Sequence, residues 1–137
     1  MPARILIVDD NSVVRTTIRS FLNWHSLRVC GEAADGKDAI QKGRELKPDI
    51  VLLDINMPGM NGVKTANEIR RVSPRTKIVF LTVHNTPGTV NAARMWVDGF
   101  VPKSTAGTVL IPTLSRISEM LGYRPYKRSK ARRAAAS

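Results

Sequence analysis

A single cysteine, Cys30, is present in the whole chain, so no intramolecular disulfide and no CxxC metal or redox site can form. A reducing compartment is the expected setting. Long apolar runs are also missing. The first run, Ile5 to Val8, stops at two aspartates, well short of a signal peptide's apolar stretch, and no run approaches the roughly 18 apolar residues of a membrane span. The expectation is a soluble, cytoplasmic protein. No P-loop, GxGxxG, GxSxG or HExxH motif occurs, and no repeat of about 20 to 50 residues is visible.

Acid is scarce: 11 Asp and Glu face 22 Lys and Arg, a formal net charge of +11. The excess is concentrated at one end. Arg124, Lys127, Arg128, Lys130, Arg132 and Arg133 carry six positive charges with no acid between Arg124 and Ser137, which leaves +5 on residues 1–123. At 137 residues and 42% hydrophobic content the chain fits one domain with a real core. Its expected extent is residues 1–122, followed by a basic, flexible tail over 123–137 that has no apolar period.

Apolar runs of strand length alternate with segments of helical period, the pattern of repeated β-α units around a parallel sheet. The predicted strands are Ile5 to Val8, Leu27 to Ala33, Ile50 to Leu53, Ile78 to Leu81, and Phe100 with Val101. Four are continuous apolar runs, as expected for strands covered on both faces. The second alternates and reads as a sheet edge.

Val14, Ile18, Phe21 and Leu22 mark the apolar face of a first helix, with Asn11 or Ser12 placed to cap it. Ala39, Gly43 and Leu46 mark a second, ended by Pro48; Val63, Ala66, Ile69 and Val72 mark a third, stopped by Ser73 and Pro74. A fourth is expected from about Pro87 to Trp96. The last falls between Ala106 and Leu121, and the cost of an interior proline predicts that it starts near Pro112 or breaks there.

Ligands of an open parallel sheet bind beyond the carboxyl ends of its strands. Asp9 and Asp10 follow the first strand, Asp54 the third, Thr82 the fourth and Lys103 the fifth. Singly, each has an ordinary reading: an Asp favoured at a helix entry, a threonine in a strand-end turn, a solvated lysine. Together they place three carboxylates, a hydroxyl and an ammonium on one edge. Carboxylates so grouped repel unless a cation neutralises them. Mg²⁺, or Mn²⁺ in its place, suits a set of oxygen donors that also includes a phosphate oxygen. A carboxylate can itself accept a phosphoryl group as nucleophile, with Lys103 and Thr82 as donors to phosphoryl oxygens.

ILIVDDN at 5–11, DIVLLDINMPGMNG at 49–62, the Thr82 strand end and DGFVPK at 98–103 resemble the receiver domain of two-component response regulators, over about residues 3–121. The resemblance implies a flavodoxin-like α/β fold, a five-stranded parallel sheet of order 2-1-3-4-5 with helices on both faces. It implies Asp54 as phosphoacceptor, charged by a sensor histidine kinase or a histidine phosphotransfer protein. It further implies Asp9, Asp10, Asp54 and the backbone carbonyl of Asn56 as metal ligands, and Lys103 on the phosphoryl oxygen. Thr82 and Phe100 would be switch residues, Pro58 and Gly62 would shape the loop after the phosphoacceptor, and Asn56 and His84 would tune hydrolysis. Such a protein is not an enzyme in the usual sense, since it catalyses only its own phosphorylation and dephosphorylation. Its expected partners are the phosphodonor, a downstream protein and, on phosphorylation, a second copy of itself.

Apart from the resemblance, Phe100 reads as core, His84 as a loop histidine, and Met57 and Met60 as gap-fillers. The segments TVHNT and KST are similar to receivers that carry a LuxR-type helix-turn-helix, but residues 122–137 cannot form one. The expectation is a stand-alone or a truncated receiver. Met95, Trp96 and Val97 replace the family's small run before the DG dipeptide, Pro112 interrupts the last helix, and Val83 is larger than usual beside Thr82. These departures fall on the face through which many receivers dimerise or dock. A second expectation treats the body as scaffold and the tail as a nucleic-acid or acidic-surface binder. An aspartyl-nucleophile phosphatase wants an acid where Asn56 stands, which argues against a hydrolase. A flavin site is excluded because acids occupy its phosphate loop.

Overall fold

A computed structural model describes residues 2–59, 61–83 and 97–123. The expected fourth helix, His84, Met60 and the six tail cations lie outside the described residues. Strands β1 (Arg4–Val8), β2 (Arg28–Ala33), β3 (Ile50–Asp54), β4 (Lys77–Thr82) and β5 (Gly99–Pro102) form one parallel sheet in the order β2-β1-β3-β4-β5. Helices α1 (Ser12–Trp24), α2 (Gly36–Leu46), α3 (Gly62–Val72) and α4 (Ala106–Met120) flank it. The fold class and strand order are those expected. Among the described residues, no helix is long and apolar enough to cross a membrane.

Alternation along the central strands divides the core in two, because successive side chains of a strand point to opposite faces. Ile5, Ile7, Ile50, Leu52, Val79 and Leu81 pack with Leu22 of α1 and with Leu110, Leu114 and Ile117 of α4. Leu6, Val8, Val51, Leu53, Ile78 and Phe80 pack with Ala39 of α2 and with Ala66 and Ile69 of α3. Strands β1 and β3 are buried on both faces, which is why their sequences are unbroken apolar runs. β2 is the expected edge. Its register shifts between Ile5 and Leu6, which pair with Val29 and Gly31 and leave Cys30 as the extra residue of a bulge. Burial pushes the Cys30 thiol up, away from the thiolate that reacts.

Helix starts follow their caps. The Asn11 side chain accepts from the amides of Val13 and Val14, Asp35 from Asp38 and Asn61 from Lys64, so Asn11 rather than Ser12 caps α1. α2 ends at Lys47, which adopts φ 44° in the left-handed region.

The expectation for the last helix is corrected: α4 runs unbroken from Ala106 to Met120 through Pro112. Pro112 and Thr108 are both exposed. The Thr108 carbonyl that loses its i+4 partner therefore faces water, and the apolar stripe of Leu110, Leu114 and Ile117 on the sheet side holds the helix together.

Candidate functional site

The parallel order brings the carboxyl ends of β1, β3, β4 and β5 to one edge, and each chemically significant side chain sits at or just past an end. Asp9 follows β1 and is 1% exposed. Its amide donates to the Ala33 carbonyl at 3.1 Å, its Oδ1 accepts from the Asn11 amide at 2.9 Å and its Oδ2 from Lys103 Nζ at 2.8 Å. Asp54, the last residue of β3, is equally enclosed. Its Oδ1 accepts from the Asn56 amide at 2.8 Å and its Oδ2 from Lys103 Nζ at 3.1 Å. Lys103 follows β5 on a single 3₁₀ turn, Lys103–Thr105, and its ammonium bridges acids from two other strands.

Asp10 is exposed, yet oxygen atoms of Asp9, Asp10 and Asp54 lie within 4.8 Å of one another. Three carboxylates against one ammonium leave an excess of negative charge in a partly desolvated place. An all-oxygen donor set with that excess fits a hard divalent cation. Burial raises the Asp54 carboxyl above its ordinary value, and the neighbouring Asp9 adds to the rise, against the Asn56 amide and Lys103, which both lower it. For Lys103, burial lowers the ammonium, but its bonds to Asp9 and Asp54 outweigh this and leave it raised. The lysine therefore stays charged while it is held between the acids.

Thr82 closes β4 fully buried. Its hydroxyl donates to Asn56 Oδ1 at 3.1 Å, and the same oxygen accepts from the Val83 amide at 2.8 Å. The side chain of Asn56 thus links the loop after β3 to the end of β4, a contact that the sequence reading, which gave Asn56 a carbonyl and a tuning role, did not foresee. Phe100 sits opposite Phe80 in the β4–β5 register and is half-buried against the α2–α3 side of the core. Val83 is 62% exposed.

Gly62 opens α3, and a Cβ there would come within 2.8 Å of Ile55 Cγ2. The loop between Asp54 and α3 therefore closes only over a glycine. A second residue missed in the sequence is Arg15, whose Nη1 donates to the Asp9 carbonyl at 2.7 Å. The hint available was an arginine one turn into the helix that follows the acid pair.

Known proteins are similar to this chain in sequence and fold. The sequence profile of the response regulator receiver domain matches residues 5–115. Response regulator protein VraR of Staphylococcus saprophyticus is 39% identical over 110 residues, covering 79% of this chain and 53% of its own. Chemotaxis protein CheY of Thermotoga maritima is 33% identical over 120 residues, covering 87% of this chain and 100% of its own. The crystal structure of the response regulator domain of Thermotoga maritima CheB superposes with a TM-score of 0.73 at 27% identity, over 91% of this chain and 100% of that one. The chain spans about half the length of VraR and all of that CheY. It belongs to the response regulator receiver domains of two-component signalling.

Proposed function

We propose that the protein accepts a phosphoryl group on Asp54 from a phosphohistidine, with a divalent cation bound beside it, and thereby changes its affinity for a partner. One observation carries the reading: a buried carboxylate at the end of β3 within hydrogen-bonding distance of Lys103 and in reach of two further acids. Transfer joins an Asp54 carboxylate oxygen to phosphorus as the bond from phosphorus to the donor imidazole breaks, and the imidazole leaves with the electron pair. Such transfer needs mainly positioning and charge neutralisation. Lys103 is already at the acceptor oxygen and moves its charge onto a phosphoryl oxygen. Asp9, Asp10, Asp54 and the backbone carbonyl of Asn56 would hold Mg²⁺ or Mn²⁺, which supplies neutralising charge when bound. The Thr82 hydroxyl would leave Asn56 Oδ1 for the phosphoryl group. Phe100, on the adjacent strand β5 opposite Phe80, would register that movement and shift the population of two conformations.

The test is the intact mass after incubation with Mg²⁺ and acetyl phosphate. A single phosphoryl increment, absent in Asp54→Asn and in the presence of a chelator, is expected; an increment retained by Asp54→Asn would refute the assignment. Lys103→Ala is expected to keep some uptake but lose the conformational response. A second activity is favoured by charge alone: six cations without an acid over residues 124–137 suit nucleic acid or another polyanion. It predicts affinity that falls steeply with salt and vanishes on removal of that segment.

A further inference from the structure

Asp10 makes no hydrogen bond or ion pair among the described residues, yet its carboxylate meets those of Asp9 and Asp54. Only the backbone can aim it there. The two peptide planes that flank Asp10 are each held at one point. The Asn11 amide closes a turn onto Asp9 Oδ1, and Arg15 Nη1 grips the Asp9 carbonyl at 2.7 Å.

Arg15 is held in its turn. Its Nε meets Glu32 Oε1 at 3.1 Å, while Arg19 Nε meets Glu32 Oε2 at 2.8 Å and Lys42 donates to the Glu32 carbonyl. Arg15 keeps only 18% of its side chain exposed, against 43% for Arg19. A rigid planar fork that spans a carbonyl and a carboxylate is a task for arginine and not for lysine.

We propose that Arg15 is a positioning residue for divalent cation binding, acting through the Asp9 carbonyl and clamped by Glu32. The proposal rests on the reading of Asp9, Asp10 and Asp54 as the cation's holders. Its sign is diagnostic. A guanidinium beside a cation site opposes the cation by charge, so if charge were its whole effect, removing it would tighten binding. If it positions the acids, removing it loosens binding, by the order of 10-fold typical of partners that orient metal ligands.

The experiment titrates the full chain with Mn²⁺ and reads the free ion by electron paramagnetic resonance. Wild type, Arg15→Met, Arg15→Lys and Arg19→Met are compared well below their unfolding temperatures, which are measured without metal. Expected are dissociation constants about 10-fold weaker for both Arg15 variants and nearly unchanged for Arg19→Met. Equal or tighter binding by the Arg15 variants would overturn the proposal, as would a lowered unfolding temperature with an unmoved dissociation constant, the mark of a purely structural role. Should Arg15→Met fail to fold, Arg15→Lys and Glu32→Gln carry the same comparison. Wild-type protein that takes up no Mn²⁺ would refute the cation reading itself, an outcome distinct from strong wild-type binding that survives in the variants.

Discussion

Replacing Asp54 by asparagine is expected to make the metal-free protein more stable at neutral pH. The three carboxylates have oxygens within 4.8 Å of one another, and unit charges at that distance repel by about 3.5 kcal/mol at an effective dielectric near 20. Asp54 faces one such repulsion from buried Asp9 and a weaker, screened one from exposed Asp10. Its contact with Lys103 at 3.1 Å returns about 5 kcal/mol on the same scale. These charge effects nearly cancel, so the burial of the carboxylate decides the sign. Asparagine avoids that burial cost and, with its Oδ1 where Asp54 Oδ1 stands, still accepts from the Asn56 amide, while Lys103 gives up its bond to position 54 and keeps the one to Asp9. An imperfectly compensated buried polar group costs about 1 to 3 kcal/mol, so a gain at the low end, about 1 to 2 kcal/mol, is expected, or about 3 to 8 °C in unfolding temperature for a domain of this size.

The pH dependence follows from the direction of the shift. Asp54 is raised above its ordinary 3.8 in the folded protein, so the wild type loses stability as pH rises from that value through the folded one. The advantage of Asp54→Asn is therefore full at neutral pH and vanishes below about pH 4. Circular dichroism melts of both proteins in chelator, at pH 7 and near pH 4, measure it, and Mg²⁺ should narrow the gap at pH 7. A lower melting temperature for Asp54→Asn at pH 7, or an equal difference at both pH values, would refute the reasoning.

Gly62→Val drives a side chain into Ile55 and should cost about 1 to 3 kcal/mol in urea unfolding, as overpacking does; an unchanged midpoint would show that the loop yields freely. Asn11→Ala should cost about 1 kcal/mol and Ser12→Ala only a few tenths, a difference that equal melting temperatures would contradict. Asn56→Ala removes the acceptor of the Val83 amide, so amide exchange at Val83 should accelerate. Unchanged protection there would deny the link between the β3 loop and β4.

The framework was legible because buried parallel strands leave no choice of residue. Ile50 to Leu53 and Ile78 to Leu81 could hardly be anything else, and strand ends then located Asp9, Asp54, Thr82 and Lys103. Pro112 misled because its cost was weighed without knowing which way the broken turn faces. The roles of Asn56 and Arg15 were illegible for another reason. Asn56 reaches Thr82, which is 26 positions away, and Arg15 reaches Glu32, which is 17 away, and neither pairing leaves a periodic trace. Asp98 is similar: its carboxylate accepts from the Ile78 amide and from Arg70, although in the sequence it is only half of a DG turn.

The strand order also divides the site in time. Asp9 and Asp54 terminate β1 and β3, each paired on both sides, and such strands open to solvent only when most of the domain does. Thr82 ends β4, which is likewise paired on both sides, whereas Lys103 follows β5, a four-residue edge strand that needs far less to open. By that criterion the carboxylates and the hydroxyl belong to the slower-opening part of the molecule and the ammonium to a faster one. The ammonium can therefore leave and return many times while the strands that carry the two acids it bridges stay closed.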